Sequence, residues 1–291
     1  MSVARYLLRV RALTFLFASL SVAFAIGQPT SILPETIVVP SGNLQLKGFL
    51  WKPNGLGPFP TVLFNHGSGG VDADHTAGLP ITEAAEKLAP LFLKHGYAFL
   101  YLFRRGQGLS ADQGPFMQAI LQREEAAKGK DARQHLQFLL ATTDHLDDVL
   151  AALAFLKATP TIDAKRIAIV GHSFGGQLTL LAAERDNTVR AAVTFAAAAN
   201  SWQRSHELRE RLRSAVDRTT APIMLIQAAN DYSTAPGRQL ADELRGLHKS
   251  YLLKIYPPVG QTSDDGHNFL YLGIPQWEHD VFGFLDEHLK R

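Results

Sequence analysis

The sequence predicts an α/β protein built on a mostly parallel eight-stranded sheet with helices on both faces. Three observations lead there. From Thr61 onward, apolar β-type runs alternate with helix-period segments, the pattern left when helices cross over a parallel sheet. Gly171-His172-Ser173-Phe174-Gly175-Gly176 stands between an apolar β-type run and an apolar helical pattern. No internal repeat, low-complexity tract or Pro/Ser-rich linker interrupts the 291 residues, and 46% of them are hydrophobic, enough for one large core.

Residues 1–25 are expected to lie outside that fold. Arg5, Arg9 and Arg11 form a basic start, Ala12 to Phe24 are mostly apolar, and Ala23-Phe24-Ala25 fits a small-x-small cleavage site. This reads as a secretory signal peptide, with an uncleaved anchor as the alternative. The apolar run is shorter than the roughly 20 residues that span a bilayer, and Thr14, Ser19 and Ser21 interrupt it. The chain has no cysteine, so neither a disulfide framework nor a lipid-modified N-terminus is available. The expected location is periplasmic or secreted, in a bacterium. Removing residues 1–25 takes away three arginines and no acids, which moves the formal charge from +2 to −1. No nucleic-acid or anionic-membrane partner is implied.

The elements of the remaining domain, 26–291, follow in order. Glu35–Pro40 and Leu44–Trp51 form an antiparallel pair joined by Ser-Gly-Asn. Thr61–Asn65, Tyr97–Phe103, Arg166–Val170, Ala191–Ala196, Ile223–Gln227 and Tyr251–Tyr256 read as six further strands. Helical patterns occupy roughly 82–95, 144–158, 175–185, 202–216, 236–247 and 276–289. After the fourth strand, residues 104–143 exceed what a compact domain tolerates as an unstructured loop. Met117–Lys128 and Asp131–Leu140 have helical character, so a lid-like helical insertion over the C-terminal edge of the sheet is expected.

The glycine-rich turn carries the chemistry. Gly-x-Ser-x-Gly on a sharp strand-to-helix turn is a nucleophile elbow, which lifts the serine oxygen clear of the sheet above a helix N-terminus. A serine hydroxyl needs a base to take its proton, and the base needs a carboxylate to fix its tautomer. Asp231 follows the strand Ile223–Gln227 and is the expected acid, since the preceding strand ends in Ala196–Ala199 and Asn200 without one. Asp264 or Asp265 is the alternative acid. Of the histidines beyond Asp231, His279 and His288 fall on the final amphipathic helix and His248 ends the helix before the last strand. His267, in the loop after Tyr251–Tyr256, is the expected base.

Acyl chemistry also needs donors for an oxyanion. The N–H of Phe174 is one, and the loop Asn65-His66-Gly67-Ser68-Gly69-Gly70 should supply the other through Ser68, with Gly69 as the alternative. His66, Asp72, Asp74 and His75 show no metal-ligand spacing, so no metal and no cofactor is expected.

These residues together resemble the dienelactone-hydrolase-like group of the α/β-hydrolase superfamily, relatives of the catalytic domains of prolyl-oligopeptidase-type enzymes. The matching residues are Asn65-His66-Gly67, Phe103 through Ser110, Asp163 through Ile167, the elbow at Ser173, Asp231 and Gly266-His267. The resemblance covers nearly the whole domain and implies the α/β-hydrolase fold. One departure matters: dienelactone hydrolases proper carry a cysteine nucleophile, so lactone specificity does not carry over with the likeness. By the same resemblance Arg104-Arg105 stand beside the active-site mouth. His66, Arg104 and Arg105 are candidate substrate contacts, the arginines as partners for a carboxylate or as structural pairs for loop acids and carbonyls. The reading is a serine hydrolase of the carboxylesterase type acting on a small-molecule ester. A peptidase or amidase of the same fold, or a binding protein that kept the fold, are the alternatives.

Overall fold

The computed structural model describes residues 33–70 and 72–290. The expected leader lies outside them.

Eight strands form the main sheet: β1 (Glu35–Ser41), β2 (Leu44–Trp51), β3 (Phe59–Asn65), β6 (Ala98–Leu102), β7 (Ile162–His172), β8 (Ala191–Phe195), β9 (Ile223–Ala228) and β10 (Tyr251–Tyr256). A two-stranded hairpin, β4 (His75–Thr76) with β5 (Leu79–Pro80), stands apart from it. The sheet order is β1-β2-β6-β3-β7-β8-β9-β10. β1 and β2 make an antiparallel edge, and the other six strands run parallel.

Strands buried on both sides read as continuous apolar runs, and their alternate residues enter two separate cores. Leu63, Leu100 and Ile169 pack on one face, under α4 (Asp144–Ala158), α5 (Phe174–Arg185), α6 (His206–Arg218) and α7 (Ala235–Gly246). Val62, Phe64, Phe99, Tyr101 and Val170 pack on the other, under α1 (Ile81–Lys94) and α10 (Ile274–Leu289). The insertion after β6 contains two helices, α2 (Met117–Lys128) and α3 (Lys130–Thr142). Met117 and Leu121 of α2 and Ala141 of α3 are buried and join the first core.

Some boundaries differ from those expected. β7 starts at Ile162 rather than Arg166, because Ile162 and Phe59 pair ahead of a register shift in the β3–β7 ladder. The helix expected from 202 starts at His206, where Ser205 caps it by accepting from the N–H of Leu208 at 3.2 Å. The residues before it turn instead, with Ala196 and Ala198 at φ 54° and 58°. His267 is not in an open loop. It ends α8 (Ser263–His267), which precedes α9 (Phe269–Leu272), and both are too short to show an apolar period. Thr262 and Asp265 form a capping box that starts α8.

On sequence Asp148, with Asp144 and Asp147, begins a helix and suits its N-terminal dipole. In the structure it is fully buried and accepts from Ser41 Oγ at 2.9 Å. Arg105 clamps it with Nε at 3.0 Å and Nη2 at 2.7 Å, and the Arg105 main-chain N–H donates at 3.1 Å. This carboxylate ties α4 to β1 and to the turn after β6. Asp148→Asn keeps the shape but leaves Arg105 without its buried counter-charge. Urea titration should show a loss of about 3 kcal/mol, the low end for a broken buried pair because Arg105 is partly exposed.

Candidate active site

Ser173 connects β7 to α5 with φ 54° and ψ −117°, a conformation that costs a non-glycine residue on the order of 1–3 kcal/mol. The surroundings hold it there. Ser173 N–H donates to the Phe195 carbonyl at 2.8 Å, while the Ser173 carbonyl accepts from Gly176 and Gln177 at 3.0 and 3.2 Å. Two glycines permit the turn by close approach. A Cβ on Gly171 would strike the Gly175 carbonyl and Thr179 Oγ1, and one on Gly175 would strike the carbonyls of Asn65 and His66. The first turn of α5 therefore rests directly on the end of β3. Phe174 opens α5, where the first amides have no acceptor within the helix.

His267 and Asp231 meet Ser173 from two other strand ends. His267 Nε2 lies 2.8 Å from Ser173 Oγ, and His267 Nδ1 lies 2.8 Å from Asp231 Oδ1. The Asp231 side chain is fully buried, and Oδ1 also accepts from the Tyr232 N–H at 2.7 Å. Gln227 Nε2 donates to Oδ2 at 3.3 Å and to the Ser233 carbonyl at 2.6 Å, which fixes the turn after β9. With a carboxylate accepting at Nδ1, the neutral ring carries its proton there and presents Nε2 to the serine as an acceptor. Asp264 and Asp265, the alternative acids, are engaged elsewhere. Asp264 accepts from the Tyr232 hydroxyl, and Asp265 accepts from Gln261 and Thr262.

Of the residues named as substrate contacts, His66, Arg104 and Arg105 do not line the cavities at Ser173. His66 and Arg104 are fully buried beneath the loop after β3. His66 Nε2 accepts from the Arg104 main-chain N–H at 3.3 Å, so His66 Nδ1 carries the proton and donates to the Gly67 carbonyl at 2.8 Å. Arg104 Nη2 donates to the same carbonyl at 2.8 Å. Across a planar trans peptide, C=O and N–H point in opposite directions. Drawing the Gly67 carbonyl toward Arg104 therefore turns the Ser68 N–H the opposite way. Arg104 further lies over the Phe174 ring, 5.6 Å from its centroid. Arg105 is occupied by Asp148 and by Asp144 at 2.9 Å. Both arginines shape the loops instead of facing the cavities.

Two cavities flank Ser173. One, of about 100 Å³, is walled by Ser68 and Phe174 on one side and by α2 and α3 residues on the other. The second, of about 330 Å³, is lined by Gly67, Ser68, the β4–β5 turn, Tyr232, His267 and Asn268. Asn200, at the end of the turn after β8, lines both.

Sequence reasoning missed three residues here. Tyr232 lies with its ring 4.7 Å from that of His267, and its hydroxyl is pushed up to about 12 by partial burial and by Asp264. Asn200 drew notice only as a missing acid. His172, inside the elbow motif itself, donates from Nε2 to the His267 carbonyl at 2.8 Å. Burial, and then proximity to His267, pushes His172 down to about 3, so it is a neutral donor at ordinary pH. No periodicity or spacing signal marks these three.

Residues 46–270 match the model of the dienelactone hydrolase family. The quorum-quenching protein AidA of Acinetobacter baumannii is 28% identical over 161 residues, which is 55% of this chain and 43% of that protein. The chain spans about half the length of the curated relatives it matches, between 43% and 60%. Among solved structures, the dienelactone hydrolase of Anabaena variabilis superposes with a TM-score of 0.57 at 22% identity, covering 88% of this chain and 99% of that one. The acylaminoacyl peptidase of Pyrococcus horikoshii gives 0.63 at 19% identity, covering 89% of this chain and 42% of that one. These likenesses show the α/β-hydrolase fold.

Three fully buried imidazoles, His66, His145 and His172, are held below the usual value of 6.5, in each case first by burial. Each binds fewer protons folded than unfolded. Their contribution to stability is therefore present above about pH 6.5 and lost as pH falls toward the lowered values. Below pH 6.5 the stability measured by urea titration should fall by up to about 4 kcal/mol per pH unit, the linkage limit for three such groups. His145→Leu should lower that slope by about one third.

Proposed function

Because the chain belongs to the dienelactone hydrolase family, we propose that it is a serine hydrolase cleaving carboxylic esters through an acyl-enzyme. The observation that carries this reading is the hydrogen-bonded chain from Ser173 through His267 to Asp231, at 2.8 Å and 2.8 Å. The family's own name denotes hydrolysis of a lactone, a cyclic ester, and this supports the choice of an ester substrate.

In the proposed cycle Ser173 Oγ attacks the ester carbonyl as His267 Nε2 takes its proton. Asp231 accepts from Nδ1 and stabilises the imidazolium that results. Charge grows on the carbonyl oxygen, where the Phe174 N–H at the start of α5 and the Ser68 N–H are offered as fixed donors. His267 then gives the proton to the departing alkoxide oxygen, and the acyl group remains on Ser173. A water attacks the acyl carbonyl with His267 again as base, and the acid leaves as Ser173 recovers its proton. His172 and Gln227 enter through position, since they hold the His267 carbonyl and the Asp231 carboxylate.

The decisive experiment is treatment of the purified protein with a fluorophosphonate, followed by intact mass and peptide mapping. A single adduct on Ser173 is expected, absent in Ser173→Ala. An adduct elsewhere, or none on a folded sample, rejects the assignment. Asp231→Asn should keep the fold but lower kcat by ~10⁴-fold, because His267 is then left in the wrong tautomer. An ester and its matched anilide should differ in kcat/KM in favour of the ester; equal or reversed rates point to an amidase.

A further inference from the structure

The two cavities at Ser173 can be assigned to the two halves of a substrate, on the hydrolase reading above. His267 returns its proton to the departing oxygen, so the leaving group lies on the imidazole side. That is the 330 Å³ cavity, lined by His267 together with Tyr232 and Asn268. The 100 Å³ cavity is not lined by His267 and includes Ser68 and Phe174, whose amides face the carbonyl oxygen in the proposed cycle. The acyl group belongs there.

Its lining is unlike an alkyl-chain pocket, which is mostly apolar. Five primary carboxamides, Gln118, Gln134, Gln137, Gln177 and Asn200, line it together with Arg133 and Arg204. The two arginines are in different states. Arg133 is neutralised, with Nε 3.0 Å from Glu125 Oε2 and Nη2 donating to Gln118 Oε1 at 3.4 Å. Arg204 has no carboxylate partner among the described residues. Arg133, Gln134 and the exposed Arg204 also border a wider cavity of about 670 Å³ together with Glu125, Lys130 and Asp131, so they stand where the acyl cavity opens outward. At roughly 10–15 Å³ of such space per water-sized group, the 100 Å³ beside Ser173 holds several heavy atoms before the wider cavity begins.

We propose that this cavity selects short acyl groups ending in a carboxylate, with Arg204 as the counter-ion, so that the preferred substrates are half-esters of short dicarboxylic acids. The carboxamides supply further donors to the same carboxylate and acceptors to any hydroxyl on the chain. A guanidinium presents paired N–H groups that match a carboxylate, which a neutral amide terminus cannot use as well.

The test uses amide mimics of the acyl group as probes. The rate of Ser173 labelling by a neutral fluorophosphonate is measured against increasing succinamate and, separately, the diamide succinamide, which present the same carboxamide to Ser173 and differ only in the terminal carboxylate. Succinamate should protect wild-type protein at concentrations lower than succinamide by roughly tenfold. Arg204→Gln should bring the two protection curves together, and Arg204→Lys should keep part of the difference. Equal protection in the wild-type protein, or a difference that survives in Arg204→Gln, overturns the acyl-site proposal while leaving the hydrolase reading intact. Absence of any label on Ser173 overturns the hydrolase reading and this proposal with it.

Discussion

Direct contact between the first turn of α5 and the end of β3 organises the whole C-terminal edge of the sheet. With no side chain at Gly175, the helix backbone comes against the carbonyls of Asn65 and His66. Three positions are set by that approach: the strained turn at Ser173, the Phe174 amide and the loop that starts at Asn65. A helix one methyl group farther away would separate the serine from that loop. The stored strain at Ser173 is offset by main-chain hydrogen bonds from β8 and from the helix itself.

A second layer of support is charged and buried, and it explains why the arginines that resemble substrate contacts do not serve as such. Arg104 is entirely enclosed, where burial lowers it to about 10, so it stays cationic at neutral pH. Its contacts include the Gly67 carbonyl, the His66 ring and the Phe174 ring. Arg105 turns the other way and closes the Asp148 pair. Two adjacent cations thus brace adjacent loops from below. Buried ion pairs of this sort are weak contributors to net stability but strong constraints on geometry, since displacement of either partner leaves a bare charge.

Above this frame the surface is polar on both sides of Ser173. The imidazole side is bounded by glycines, Tyr232 and Asn268, and the α2–α3 side by carboxamides and guanidinium groups. On the proposed reading, the scaffold that holds Ser173, His267 and Asp231 together leaves selectivity to α2, α3 and the turn after β8.

The sequence by itself determined the sheet, the helices over both faces and the elbow at Ser173. Each of these rests on local pattern: apolar runs for doubly buried strands, helical periodicity between them, and glycines flanking a serine at a strand–helix junction. The partners of Ser173 were legible only as chain order, because Asp231 and His267 lie 58 and 94 positions beyond it. Only the tertiary structure decided what stands within hydrogen-bonding distance of what. It put His267 at the end of a five-residue helix too short to leave a period, and it buried Asp148 where its spacing read as a helix-start acid. It aimed Arg104 at a carbonyl and left Arg204, which nothing in the sequence distinguished from other arginines, at the smaller cavity with no carboxylate partner among the described residues. Propensity and periodicity act over a few residues along the chain. Charge pairing and cavity lining depend on distances across it, and those exist only once both cores have closed.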